Sequence, residues 1–269
     1  MTFKGRNAAF LAVAFFAATP VLAQEGMHDC VIEPYIEVEI GSASSGVVEE
    51  VLVSRGDRVV AGQPVARLES KAERAALRIA EARAREDVQV ELARNRIDLI
   101  EREAKRTQTL ASKQLAATNV LEEVMNKLKQ AQLELRLAES QRNLALLDQR
   151  RTEAELERRI IRSPIDGVVL RRLIGPGEFA YSEAKVARIA KTDPLHVEVF
   201  LPTKLYTTVS IGQMARVFPA EPVAGEYEAT IVVVDQVFDA ASDTFGVRLT
   251  LPNRDGLLPA GLDCRVKFD

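Results

Sequence analysis

The sequence predicts a mixed α and β fold: a small β-sandwich split by an inserted antiparallel coiled-coil hairpin, then a small β-barrel. Three observations carry this. Short strand-like runs with Gly turns lie on both sides of a long helical stretch. From Glu69 to Arg159 there is neither Gly nor Pro, only a background of Ala, Leu, Glu, Arg, Lys and Gln. A third set of short strands follows Pro194.

The opening residues read as a targeting segment. Lys4 and Arg6 precede an apolar run from Ala8 to Ala18, and Val21-Leu22-Ala23 supplies small residues for cleavage after Ala23. That run is too short for a spanning helix, and no later stretch approaches one, so a soluble, exported mature chain is expected. An uncleaved anchor is the alternative. Met27-His28-Asp29 before Cys30 is no lipidation signal. Beyond residue 23 the chain has 34 Lys plus Arg against 39 Asp plus Glu, a weak and well-mixed balance that argues against nucleic acid. Its two cysteines, Cys30 and Cys264, stand far apart; in an oxidising compartment they form either a disulfide or two separate buried thiols.

Tyr35 to Ile40 has the period-two pattern of a half-buried strand, joined to the later barrel as part of an N-terminal segment, 24–40. Within 41–69, Val47 to Val53 and Val65 to Leu68 are short strands separated by turns at Gly56 and Gly62. Heptad seams then run through 70–160: Val90, Ala93, Ile97, Ile100 and Ala104 in the first half, and Leu121, Val124, Leu128, Ala131, Leu135 and Ala138 in the second. The periodicity lapses from Ser112 to Asn119, where Thr118 or Asn119 is expected to cap the second helix. Two helices of about 43 residues would each be ~65 Å long and would return the chain to its starting point. One continuous helix is the alternative, and it would separate the two strand regions by over ~100 Å.

Residues 161–191 return to strand texture. Gly167-Val168-Val169 echoes Gly46-Val47-Val48, and Arg188-Ile189 echoes Arg67-Leu68, a weak internal repeat interrupted by the insertion. Thr192-Asp193-Pro194 reads as a linker into the unit 192–269, with strands at His196–Leu201, Met214–Phe218, Tyr227–Val234, Phe245–Leu251 and Leu262–Phe268. Pro202 opens a short helix through Val209. Many short strands with tight turns predict a closed barrel, which leaves no exposed edges.

Gly46-Val47-Val48, Arg55-Gly56-Asp57-Arg58-Val59 and Gly62-Gln63 resemble the first lipoyl half of periplasmic adaptor proteins, the HlyD-like membrane fusion proteins. Arg162-Ser163-Pro164-Ile165-Asp166-Gly167-Val168-Val169 with Gly177-Glu178 is similar to their second half. The resemblance implies a split lipoyl-like β-sandwich and membership of a tripartite efflux or secretion system of Gram-negative bacteria. Its partners would be an inner-membrane transporter, an outer-membrane channel and further copies of the chain, typically in a hexameric ring. It also implies that the hairpin tip meets the channel. In adaptors of resistance-nodulation-division (RND) pumps the tip carries an Arg, a Leu four residues on and a Ser seven beyond. Arg106 and Leu110 match, whereas Ala117 stands at the Ser position with Thr118 beside it. The channel-contact residues expected on this basis are Arg106, Leu110, Lys113, Gln114, Ala117 and Thr118, and an RND partner is expected over an ABC one. Leu110 would alternatively close the hairpin's own core. The sequence ends one residue after the last strand, so no full membrane-proximal domain is expected.

No catalytic function or cofactor is expected. The sequence has no nucleophile elbow, HExxH, P-loop or GxGxxG. Lipoyl domains carry a modified lysine on a tight turn, but Lys71 stands where the helical insertion begins, which disfavours modification. His28-Asp29-Cys30, with only two histidines in the chain, makes a closed metal site improbable and reads as a flexible segment. A periplasmic structural module that self-associates through its coiled coil remains the alternative to an adaptor.

Overall fold

The computed structural model describes residues 1–2 and 26–268; the expected signal peptide lies outside them. The element order is β1 (Met27–Gly41), β2 (Gly46–Val51), β3 (Arg58–Val59), β4 (Pro64–Leu68), α1 (Lys71–Arg85), α2 (Val88–Ser112), α3 (Thr118–Glu157), β5 (Ile160–Arg162), β6 (Gly167–Arg172), β7 (Phe179–Ala180), β8 (Lys185–Pro202), β9 (Met214–Pro219), β10 (Tyr227–Val234), β11 (Thr244–Leu251) and β12 (Leu262–Phe268). A short 3-10 helix, Thr203–Thr208, follows β8. The chain divides into two units, one of residues 34–195 and 253–257 and the other of 1–33, 196–252 and 258–269.

In the first unit the two strand regions are interleaved. One sheet has the order β5-β4-β2-β7, so strands from after the insertion flank those from before it. On the other side β3 pairs with β6, and β6 with β8. Val48, Val65, Leu68, Val169, Val186 and Ile189 pack between the layers, all at most 1% exposed. Neither strand set could bury its apolar face alone, and this mutual burial of side chains brings the two ends of the insertion together.

In the second unit β1-β12-β9-β10-β11-β8 form a six-stranded barrel, closed by pairing of β1 with β8. Leu201, Val217, Val247, Leu249 and Val266 point into it, each fully buried. Cys30 and Cys264 are cross-strand partners in the β1–β12 ladder and are joined as a disulfide, with Cα atoms 4.8 Å apart.

Several elements depart from the sequence reading. The His28-Asp29-Cys30 segment is not flexible: it begins the 15-residue strand β1, anchored by its ladder to β12. Residues 192–194 are not a linker, because β8 runs unbroken through them. There Asn253 donates from its backbone N–H to Asp193 and from Nδ2 to the carbonyl of Thr192, hydrogen bonds that hold the strand where Pro194 has no N–H to give. The short helix expected after Pro202 is present, as the 3-10 helix Thr203–Thr208.

Candidate functional site

The hairpin is built on small seam residues. Val90, Ala104, Val124, Ala131 and Ala138 are at most 9% exposed, whereas Leu121, Leu128 and Leu135 are half-buried. Two helices alone enclose only the side chains on the line between them, so alanines let the backbones approach while larger side chains stay partly wet. Arg94 with Glu139 (3.4 Å) and Arg96 with Glu134 (3.1 Å) bridge the arms. These pairs are exposed and worth about 0.2–1 kcal/mol each.

The outgoing arm is not one helix. It breaks at Glu86-Asp87, with Asp87 at the N-cap position of α2. Both arms nevertheless cover similar lengths, 71–112 and 118–157, and α3 with 40 residues is about 60 Å long.

The root is clamped to the sandwich. Arg159 donates to Glu73 (2.5 Å) and to the carbonyl of Ser45 (2.6 Å), while its own carbonyl accepts from the Leu68 N–H (2.8 Å). Glu73 is on α1 and Arg159 follows α3, so one guanidinium ties both arms to the strand region. Lys71, the first residue of α1, has an 83% exposed side chain 3.5 Å from Glu69, at a helix start and not on a hairpin turn.

At the far end the turn is tight. The Leu110 carbonyl accepts from the N–H groups of Lys113 (3.1 Å) and Leu115 (2.9 Å), and Gln114 adopts a positive φ of 59°. Helix α3 starts at Thr118 with Ala117 as N-cap and no side-chain cap hydrogen bond, so neither Thr118 nor Asn119 caps it. The turn's own backbone hydrogen bonds set the helix start, leaving the Thr118 hydroxyl outside that role.

Arg106, Lys113, Gln114, Ala117 and Thr118 are all exposed and share the tip region with Leu110, itself 41% exposed. The sequence reading missed Leu115, which is 72% exposed in the turn, and Val120 and Met125 just beyond it at 44% and 50%. Its only signal was an apolar residue in a stretch where the heptad lapses. The tip can thus present an apolar knob ringed by Arg106 and Lys113, suited to burial in a complementary surface.

Among the described residues no group of three His, Cys, Asp or Glu is arranged to hold a metal. No helix there is long and apolar enough to cross a membrane.

A split lipoyl-like sandwich carrying a long hairpin and followed by a barrel defines the membrane fusion, or adaptor, class of protein. A model of the CzcB-like barrel-sandwich hybrid domain matches residues 37–191, more than half of the chain, and the chain belongs to that family of efflux-system adaptors. Among solved structures, MacA from Actinobacillus actinomycetemcomitans superposes with a TM-score of 0.74 at 19% identity, covering 91% of this chain and 81% of that one. The membrane fusion protein Spr0693 from Streptococcus pneumoniae R6 gives 0.63 at 16% identity, covering 90% and 98%. A MacA-MexA chimera with the Pseudomonas aeruginosa MexA α-hairpin gives 0.55 at 18% identity, covering 90% and 79%. No curated protein matches the sequence.

Proposed function

We propose that this chain is a non-enzymatic periplasmic adaptor that bridges an inner-membrane transporter, RND rather than ABC, to an outer-membrane channel as a homo-oligomeric ring. The observation that carries the reading is the tip: a rigidly rooted pair of arms ends in exposed Leu110 and Leu115 beside Arg106 and Lys113. Exposed leucines contribute little to a hairpin's own stability, whereas a partner groove that buries them gains about 1.5–3 kcal/mol per side chain. The RND preference rests on the match of Arg106 and Leu110 to the tip pattern of such adaptors. The mechanism is mechanical. The root network fixes the arms on the sandwich, the arms set the reach, and the tip makes the contact that joins the conduit. The signal peptide, expected in residues 1–23, would deliver the chain to the periplasm.

An outward row of leucines favours a second reading, a module that self-associates without a pump. Leu92, Leu99, Leu137 and Leu144 are 58–63% exposed on the sides of the arms. The two readings differ in copurification from native membranes. The adaptor reading expects an inner-membrane transporter to accompany the tagged chain; recovery of the chain with itself alone, from cells expressing that transporter, supports the module instead.

A further inference from the structure

The unit that carries the hairpin also holds a cavity of about 410 Å³, walled by sandwich strands and the loop 253–257 and not by the hairpin. Three cationic side chains line it, Arg58, Lys191 and Arg254, together with the carboxylates of Asp166 and Asp193. Both carboxylates already accept backbone hydrogen bonds: Asp166 from the Ala61 N–H at 2.8 Å, and Asp193 from the Asn253 N–H at 3.0 Å. Lys191 lies 5.5 Å from the centre of the Tyr35 ring. Neither Arg58 nor Arg254 has a carboxylate within 4.0 Å among the described residues.

Both arginines are exposed and lie at or beside the turn 253–257. A Cβ on Gly256 would stand 2.7 Å from Nη2 of Arg58, so the guanidinium lies against this turn, where Gly256 has a φ of +63°. Arg254 sits in the turn closed by the Gly256 N–H to the Asn253 carbonyl at 2.9 Å. Asn253 is buried, 6% exposed, and its Nδ2 bonds the Thr192 carbonyl at 2.9 Å, which fixes the turn to β8. The approach to Gly256 alone would explain Arg58 as a contact for the loop, but it gives Arg254 no role. Three cationic side chains against two carboxylates leave the concavity with one net positive charge, and neither guanidinium is paired with a carboxylate among the described residues.

We infer that this cavity binds a phosphate-type anion, gripped by Arg58 and Arg254 with Lys191 as an added point charge. The planar guanidinium fork matches phosphate oxygens in pairs, and each such charge-assisted hydrogen bond contributes more than a neutral one. The anion is either a free phosphate-bearing solute or the headgroup of an anionic phospholipid. The inference stands on the sandwich and the loop 253–257 and does not depend on the adaptor reading.

The test uses the full chain. Inorganic phosphate is titrated and followed by phosphorus NMR, and flotation is measured with phosphatidylcholine vesicles with or without phosphatidylglycerol. Variants are Arg58→Gln, Arg254→Gln, their double and, as a control losing the same charge, the Arg171→Gln/Arg172→Gln pair on exposed positions of β6. Arg254→Gln leaves Arg58 against Gly256, so its effect does not come from losing that approach. The expected result is saturable binding in wild type and control, weakened about tenfold or more in the double variant with an unchanged melting curve. Capture by phosphatidylglycerol vesicles that needs Arg58 and Arg254 assigns the headgroup; phosphate binding without such capture assigns the free solute. Absence of both, or equal loss in the Arg171/Arg172 control, overturns the site.

Discussion

At Gly167 a Cβ would stand 2.3 Å from the carbonyl oxygen of Ala190, its neighbour's chain in the β6–β8 ladder. This glycine is needed for space, and Gly167→Ala is expected to cost about 1–3 kcal/mol in urea unfolding, since backbone and not a flexible side chain must yield. The Cys30–Cys264 bridge spans 234 residues and ties the first strand of the barrel to the last. Replacing both by Ala is expected to lower stability by about 2–4 kcal/mol, and a thiol assay on the unreduced denatured chain should find no free thiol. His28 and His196 both have pKa values pushed below 6.5, chiefly by burial. A depressed histidine binds its proton more readily in the unfolded chain, so this contribution to stability is complete above about pH 6.5 and is lost as pH falls through the folded values. Thermal melts of wild type should weaken below that pH more steeply than those of His28→Gln/His196→Gln. The cysteines illustrate what residues alone disclose: their number, the compartment and an N-terminal segment expected beside the barrel allowed a bridge, and the β1–β12 register makes the two direct partners.

Among the elements, the hairpin was the most legible. Its boundaries follow from the loss of Gly and Pro after Glu69, and its seam from the positions of Val90, Ala104, Val124 and Ala131. The break at Glu86-Asp87 escaped notice because Glu and Asp do not interrupt a helical composition as Pro would. The missed turn chemistry at the tip has the same origin: Thr118 and Asn119 are good caps, but the 110–115 hydrogen bonds already fix where α3 begins. Leu92, Leu99, Leu137 and Leu144 lie off the internal seam. Their replacement by Gln is expected to change unfolding free energy by no more than about 0.5 kcal/mol per site. In analytical ultracentrifugation the same variants should lose self-association that wild type shows, if these rows pack between copies.

For the molecule as a whole, the order of textures disclosed the split sandwich, because two half-repeats around a balanced insertion must meet again. What the order did not disclose is that the halves interleave, β2 taking β7 as one neighbour and β4 taking β5. Pairing of strands more than ninety residues apart has no local signature. The barrel strands were legible from alternation, yet β8's passage through Pro194 was not, since Asn253 supports it from sixty residues further on. The adaptor account makes the tip the point at which this architecture becomes function. It is therefore tested most directly by placing a photoreactive residue at position 110 in cells expressing both channel and transporter, and identifying the adducts by mass spectrometry. The account predicts an outer-membrane channel protein crosslinked to the tip. Adducts only between copies of this chain would contradict it.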